Sequence, residues 1–284
     1  MKQKNAGDRK LPAFIHKEKS LLLEKYPEIK ALLIDMDGVL WHDTEPIGNL
    51  PEIFKKINSY GYKYLFLTNN ATKTFEDYQK KFKGFGLSLI KDQLLNSSMA
   101  TAAYLRHKFP LGGNVYVVGS DALKSTLAEN GFFHVEDVQA PEAVAVIAGL
   151  DFDMTYEKIK SAALLIRKGV PFIGTNYDVT YPTPNGLYPG AGTIVRAVEA
   201  AAEKDAIIIG KPKPAMFKMA IEKLLTSPRE TLVIGDRIDT DIAGAQGFGC
   251  PSALVLSGVS SLEQAKKWSP SPDIIVNSLD DLMS

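Results

Sequence analysis

The stretch Ala31-Leu32-Leu33-Ile34-Asp35-Met36-Asp37-Gly38-Val39-Leu40 sets four apolar residues immediately before two acids and a glycine. An unbroken apolar run this short fits a strand covered on both faces and closed by residues that turn the chain. Side chains two apart on extended backbone point the same way, so Asp35 and Asp37 are expected to face one pocket at the strand's carboxyl end. Open α/β sheets place their ligands at that edge. Two carboxylates this close require a cation or a shared proton. Taken alone, the same residues also fit an Asx turn before Gly38.

Outward from this stretch the pattern repeats. Apolar, β-branched runs predict strands over 64–67, 115–118, 144–148, 172–174, 206–209, 231–234, 253–256 and 274–276. Between them, Ile53, Phe54 and Ile57, then Ile194, Val195 and Val198, then Phe217, Ala220, Ile221 and Leu224 recur at the i, i+3, i+4 spacing of helices with one buried face. Strands alternating with helices predict an α/β chain built on a Rossmann-like parallel sheet.

At 284 residues, with 45% hydrophobic and 23% charged side chains, the chain can bury one large core or two modest ones, which excludes disordered and fibrous classes. Its 33 basic and 33 acidic residues cancel, so no overall field favours nucleic acid or an anionic membrane as partner. Cys250 is the one cysteine and cannot form an internal disulfide, and His16, His42, His107 and His134 lack metal-ligand spacing. No apolar run approaches the roughly 20 residues of a membrane span. Met1 to Lys10 are polar, so the expectation is a cytoplasmic protein, neither secreted nor inserted in a membrane.

Three later segments bear on the acidic pair. Thr68-Asn69-Asn70 follows a predicted strand and can offer hydroxyl, amide and backbone donors to a phosphate, although a polar turn or helix cap needs no more than this. Gly210-Lys211-Pro212-Lys213-Pro214 follows the run over 206–209 and presents Lys211 as a point charge able to balance carboxylate and phosphoryl oxygens. Gly235-Asp236-Arg237-Ile238-Asp239-Thr240-Asp241 sets one carboxylate at a strand end and another at a helix start, where N-capping is the plainer reading for Asp239.

Together these segments resemble the four motifs of the haloacid dehalogenase superfamily. Asp-Met-Asp-Gly-Val-Leu-Trp, Leu-Thr-Asn-Asn, Gly-Lys-Pro and Gly-Asp-Arg-x-x-Thr-Asp resemble its subfamily IIA, which includes NagD-like, nitrophenyl, phosphoglycolate and pyridoxal phosphatases. The resemblance implies that Asp35 is the nucleophile and a magnesium ligand. It makes Asp37 the general acid and then base, with its backbone carbonyl on the metal, and Asp236 a further ligand. Asp241 would support the metal from behind the ligands or through water. Thr68, Asn69 and Asn70 would contact the phosphate, and Lys211 would hold Asp35 and the phosphoryl group. The implied activity is Mg2+-dependent hydrolysis of small phosphate monoesters, of the sugar phosphate, nucleotide, phosphoglycolate or nitrophenyl phosphate class, through a phospho-aspartyl intermediate. Oxygen donors without His or Cys favour magnesium over zinc on their own account.

From Asn70 to Lys211 the chain far exceeds the roughly 30 residues of one βαβ unit, so a second domain is expected within it. The expected division is a polar arm over 1–28 with a short helix near Lys19 to Tyr26, core over 29–111, an inserted α/β cap over 112–205 and core again over 206–284. Subfamily IIA proteins carry such a cap and often dimerise through it, which implies a homodimer. Pro182, Pro184, Asn185, Gly186, Pro189, Gly190 and Gly192 predict a turn-rich loop. Tyr181 stands where relatives place a substrate-facing residue, and with Tyr177 and Tyr188 it is expected to recognise the leaving group. Packing of the cap or of a dimer interface is the alternative for each tyrosine. Tyr177 also departs from the common family phrase Thr-Asn-Pro-Asp. Among other readings, a dehalogenase needs neither Asp37 nor magnesium, and a phosphomutase stays open. A phospho-accepting signalling module normally carries its acceptor alone on a later strand.

Overall fold

The computed structural model describes residues 22, 25–136, 143–183 and 185–284. The expected arm over 1–28, with its helix near Lys19 to Tyr26, lies largely outside them. The chain first forms β1 (Ala31–Ile34), the antiparallel pair β2 (Trp41–His42) and β3 (Glu45–Pro46), then β4 (Lys63–Thr68) and β5 (Leu94–Asn96). Next come β6 (Gly113–Val118), β7 (Phe132–His134), β8 (Ala145–Ala148) and β9 (Phe172–Gly174), then the hairpin of β10 (Thr180–Thr183) with β11 (Gly186–Pro189), then β12 (Ile207–Ile208). β13 (Thr231–Gly235), β14 (Ser252–Val255) and β15 (Ile274–Val276) follow.

One wholly parallel sheet has the order β15-β14-β13-β1-β4-β5, and a second, also parallel, has the order β12-β9-β8-β6-β7. β1 lies at the centre of the first, with Ile34 level with Ile234 on one side and Phe66 on the other. Asp35, Asp236 and Thr68 therefore leave three adjacent strands at one edge. Side chains alternate across the sheet. Leu32 and Ile34 enter a core with Phe54, Phe66 and Phe82, while Ala31 and Leu33 enter another with Leu65, Leu67 and Val233. The second core runs on into Val115, Val117, Ile147 and Ile173 of the other sheet.

Helices form where caps and apolar spacing agree. Helix Leu50–Tyr60 starts at Asn49, whose side chain accepts from the Glu52 amide, buries Leu50, Ile53, Phe54 and Ile57, and stops at Gly61 with φ 81°. Helix Phe75–Gly84 opens with a reciprocal cap between Thr74 and Asp77 and buries Tyr78 and Phe82. Among the described residues no helix is long and apolar enough to cross a membrane.

Two expectations change. The run over 206–209 is not a strand of the first sheet: β12 pairs with β9 at the edge of the second, which therefore extends beyond residue 205 to Ile208. An apolar run shows that a strand exists but carries no mark of its sheet. The expected loop around Pro182 is instead the β10–β11 hairpin, an isolated antiparallel pair able to carry proline because little of its backbone needs a ladder partner.

Candidate active site

Among the described residues, Asp35, Asp236 and Asp241 bring carboxylate oxygens within 4.8 Å of one another, and all three are buried. Asp35 continues β1 by one hydrogen bond, its amide donating to Ile234 O at 2.9 Å. Asp241 arrives on the π-helical turn Ile238–Ile242. Lys211 Nζ joins two of the acids, donating to Asp35 Oδ1 at 2.7 Å and Asp241 Oδ1 at 2.6 Å, with Leu67 O at 2.9 Å as its third acceptor. Only 3% of Lys211 is exposed.

Asp236 is held from one side. Its Oδ2 accepts from the Val259 amide at 2.7 Å, while its buried Oδ1 has no hydrogen-bond partner. A Cβ on Gly38 or Gly258 would collide with this carboxylate, and Gly38 also has φ 83°. Both glycines are thus required for Asp236 to reach Asp35. An orphaned buried carboxylate oxygen is costly in a metal-free interior and is satisfied by a cation. Three carboxylates against one ammonium, with oxygen donors throughout, fit magnesium.

The electrostatics agree with that fit. Burial pushes the Asp35 carboxyl well above the usual range; Asp241 and Asp236 add to the rise, and Lys211 opposes it. Burial and then Asp241 push Asp236 up to about 7. Burial opposes the charge on Lys211, but Asp241 and Asp35 outweigh it, so the ammonium stays protonated. The metal-free cluster therefore carries more proton than separate carboxylates would.

The Asp37 carboxylate is not part of the buried Asp35–Asp236–Asp241 cluster. β1 ends at Ile34 and Gly38 turns the chain, so strand alternation does not extend to Asp37. Its carboxylate is exposed, with Oδ1 accepting from Trp41 Nε1 at 2.7 Å. Asp239 pairs with Arg237 at 3.3 and 3.2 Å and caps no helix.

Thr68 and Asn69 are buried beside Lys211. Thr68 Oγ1 accepts from the Asn70 amide at 3.1 Å, and Asn70 Oδ1 accepts from the amide and hydroxyl of Thr72. Asn69 Oδ1 accepts from the Lys211 amide, and its Nδ2 donates to Lys211 O and to Asp178 Oδ2 at 3.1 Å. Asp178 enters from the second sheet's side, after β9. Burial raises its pKa, with Arg237 and Asn69 pulling against that rise. Tyr177 turns elsewhere, donating to Glu199 Oε2 at 2.5 Å beneath the Arg196 guanidinium. Tyr181 and Tyr188 face each other across the hairpin, ring centroids 6.1 Å apart. Gly258 carries no sequence signal that singles it out, and Trp41 and Asp178 enter the sequence reading only as parts of family phrases; the roles of all three depend on partners brought in by the fold.

A parallel α/β core with a buried carboxylate cluster at its carboxyl edge, bridged by one lysine and covered by a second α/β unit, defines a phosphoryl-transfer hydrolase class. Comparison with known proteins agrees. Residues 32–133 match the haloacid dehalogenase-like hydrolase family and residues 208–282 the related HAD-hydrolase-like family. An acid sugar phosphatase of Staphylococcus aureus is 33% identical over 257 residues, 90% of this chain and 98% of that protein. The solved p-nitrophenyl phosphatase of Archaeoglobus fulgidus is 29% identical with TM-score 0.84, over 90% of this chain and 98% of that one. The glycerol phosphate phosphatase of Mycobacterium tuberculosis, solved in complex with magnesium, is 32% identical with TM-score 0.82, over 90% of this chain and 76% of that one. The chain belongs to the haloacid dehalogenase-like hydrolase family, and it is a phosphatase.

Proposed function

We propose that this phosphatase hydrolyses small phosphate monoesters of the sugar phosphate or glycerol phosphate class, with Asp35 as nucleophile and magnesium as cofactor. The observation that carries the proposal is the pairing of Asp35 with Lys211 at 2.7 Å beside the unpartnered Oδ1 of Asp236. Asp35 and Asp236 would ligate the metal, together with the Asp37 carbonyl, and Asp241 would hold Lys211. Magnesium, when bound, supplies charge neutralisation between Asp35 and the phosphoryl oxygens.

The residues divide the reaction into two displacements. An Asp35 carboxylate oxygen attacks phosphorus, the bond to the ester oxygen breaks, and Asp37 gives its proton to the departing alkoxide. Water then attacks the phosphorus of phospho-Asp35, Asp37 takes up its proton, and phosphate leaves with Asp35 restored. Lys211 meanwhile keeps Asp35 ionised and oriented. Thr68, Asn69 and Asn70 would contribute donors to the phosphate, Asn69 through its backbone.

The decisive experiment replaces Asp35 by Asn. Steady-state turnover should vanish while the protein keeps its fold by circular dichroism; normal turnover by the sequence-confirmed variant refutes the nucleophile. A cytoplasmic location and a homodimer formed through the 112–205 cap belong to the same proposal. Light scattering that finds a monomer at working concentration removes the dimer.

A further inference from the structure

We propose that Trp41 is the positioning residue for Asp37: its indole N–H fixes one carboxylate oxygen and so determines which oxygen carries the catalytic proton. This rests on the reading of Asp37 as general acid and base given above. The relevant contact is Trp41 Nε1 to Asp37 Oδ1, 2.7 Å, four residues apart. The backbone reinforces it, since the Gly38 amide donates to Trp41 O at 2.9 Å and Asp37 bridges to Trp41.

Trp41 is well suited to hold still. It is fully buried, stacked on Phe85 with centroids 5.6 Å apart and met edge-on by Phe82 at 5.3 Å. Lys81 Nζ lies over the ring, 4.1 Å from the centroid. All three neighbours come from the last turn and cap of helix Phe75–Gly84. Asp37, by contrast, is exposed, and an exposed aspartate is otherwise free to rotate about two torsions. Misplacing a reacting group by about 1 Å can cost about a hundredfold in rate, so a fixed partner has a direct kinetic meaning.

The chemistry of the partner decides the proton's place. An indole N–H donates and cannot accept, so it can stay on Oδ1 whether Asp37 is ionised or protonated. A protonated Asp37 must then carry its hydrogen on Oδ2. In the first displacement the proton passes from Oδ2 to the leaving oxygen as the ester P–O bond breaks. In the second, Oδ2 takes a proton from the attacking water. Trp41 stays in place throughout, neither gaining nor losing a proton.

The test compares leaving groups in the full-length enzyme with magnesium. Nitrophenolate departs without much help from an acid, whereas the alkoxide of glycerol phosphate needs one. Trp41→Phe keeps the aromatic stack and removes the N–H. It should lower kcat on glycerol phosphate at least about tenfold with KM little changed. First-turnover release of nitrophenol should stay within about threefold of the parent and appear as a burst before a slower steady state, as hydrolysis of phospho-Asp35 slows. Asp37→Asn, run in parallel, should show the same leaving-group pattern more strongly.

Equal losses on both substrates in the first turnover, or none on either, overturn the inference. If Asp37→Asn shows the pattern and Trp41→Phe does not, Trp41 alone is wrongly assigned. If Asp37→Asn lacks it, the acid–base role of Asp37 falls, and the inference with it. Should Trp41→Phe fail to fold, benzothienylalanine in place of tryptophan removes the N–H at constant shape. With one other tryptophan in the chain, Trp268, that substitution is made in a Trp268→Phe background.

Discussion

Asn69 and Lys211 hold each other at two points: the Lys211 amide donates to Asn69 Oδ1 at 2.8 Å, and Asn69 Nδ2 donates to the Lys211 carbonyl at 3.0 Å. A side-chain amide here does for a loop what a neighbouring strand does for a sheet residue, and it sets the backbone that aims the lysine at Asp35. Asn69→Ala would leave both buried backbone groups of Lys211 without a partner. We expect a stability loss of about 1–3 kcal/mol in urea denaturation, together with a fall in kcat larger than any change in KM. A variant as stable and as active as the parent would show that Lys211 is aimed by something else.

Magnesium should stabilise the protein more as pH rises. Asp35 and Asp236 have carboxyl pKa values raised above their unfolded values, Asp236 to about 7. A raised carboxyl pKa means the folded state binds more protons than the unfolded state between the two values. That contribution to stability is therefore present at low pH and lost as pH climbs from about 4 through about 7. Added magnesium offsets the repulsion that remains at the alkaline end. The difference in Tm with and without magnesium should grow across this window, and chelation should abolish activity reversibly. A flat difference, or one that grows toward acid, contradicts the assigned cluster.

Tyr181 is expected to discriminate between leaving groups. The hairpin that carries it begins just after Asp178, whose carboxylate touches Asn69, so its base lies beside the phosphate site. Tyr181→Ala should reduce kcat/KM on the best sugar or glycerol phosphate substrate by ~1–3 kcal/mol while sparing nitrophenyl phosphate. Equal losses on the two substrates would place Tyr181 in packing with Tyr188.

The strands that frame the site were legible because β1, β4 and β13 are short apolar runs ending in polar residues, a pattern that buried parallel strands impose. β5 and β7, of three residues each, are too short for any periodicity to register. β10 and β11 were hidden by proline, which argues against strand in a covered sheet but not in a two-stranded ribbon. Asp35, Lys211 and Asp236 stood out as chemistry-bearing residues at strand ends, and Asp241 at a helix start. What they touch did not: Asn69 and Lys211 are 142 residues apart, and nothing local announces their pairing. Asp37 lies three residues past the end of β1 at Ile34, so strand alternation could not announce its partner Trp41.

The placement of β12 sets a limit on movement. Ile208 is the last residue of β12, and Lys211 already lies in the catalytic cluster. Three residue steps, at most about 10–11 Å of chain, connect them. The Gly210 amide bonded to Thr175 O at 2.9 Å takes up part of even that slack. The upper unit is thus on a short leash, and the leash is tied to the residue that steadies the nucleophile. Any pivoting of that unit about this tether would act directly beside the Lys211–Asp35 contact. The same tie warns the protein engineer that this cap is no interchangeable module: a cut made at residue 205 would divide a sheet and carry off the anchor of an active-site lysine.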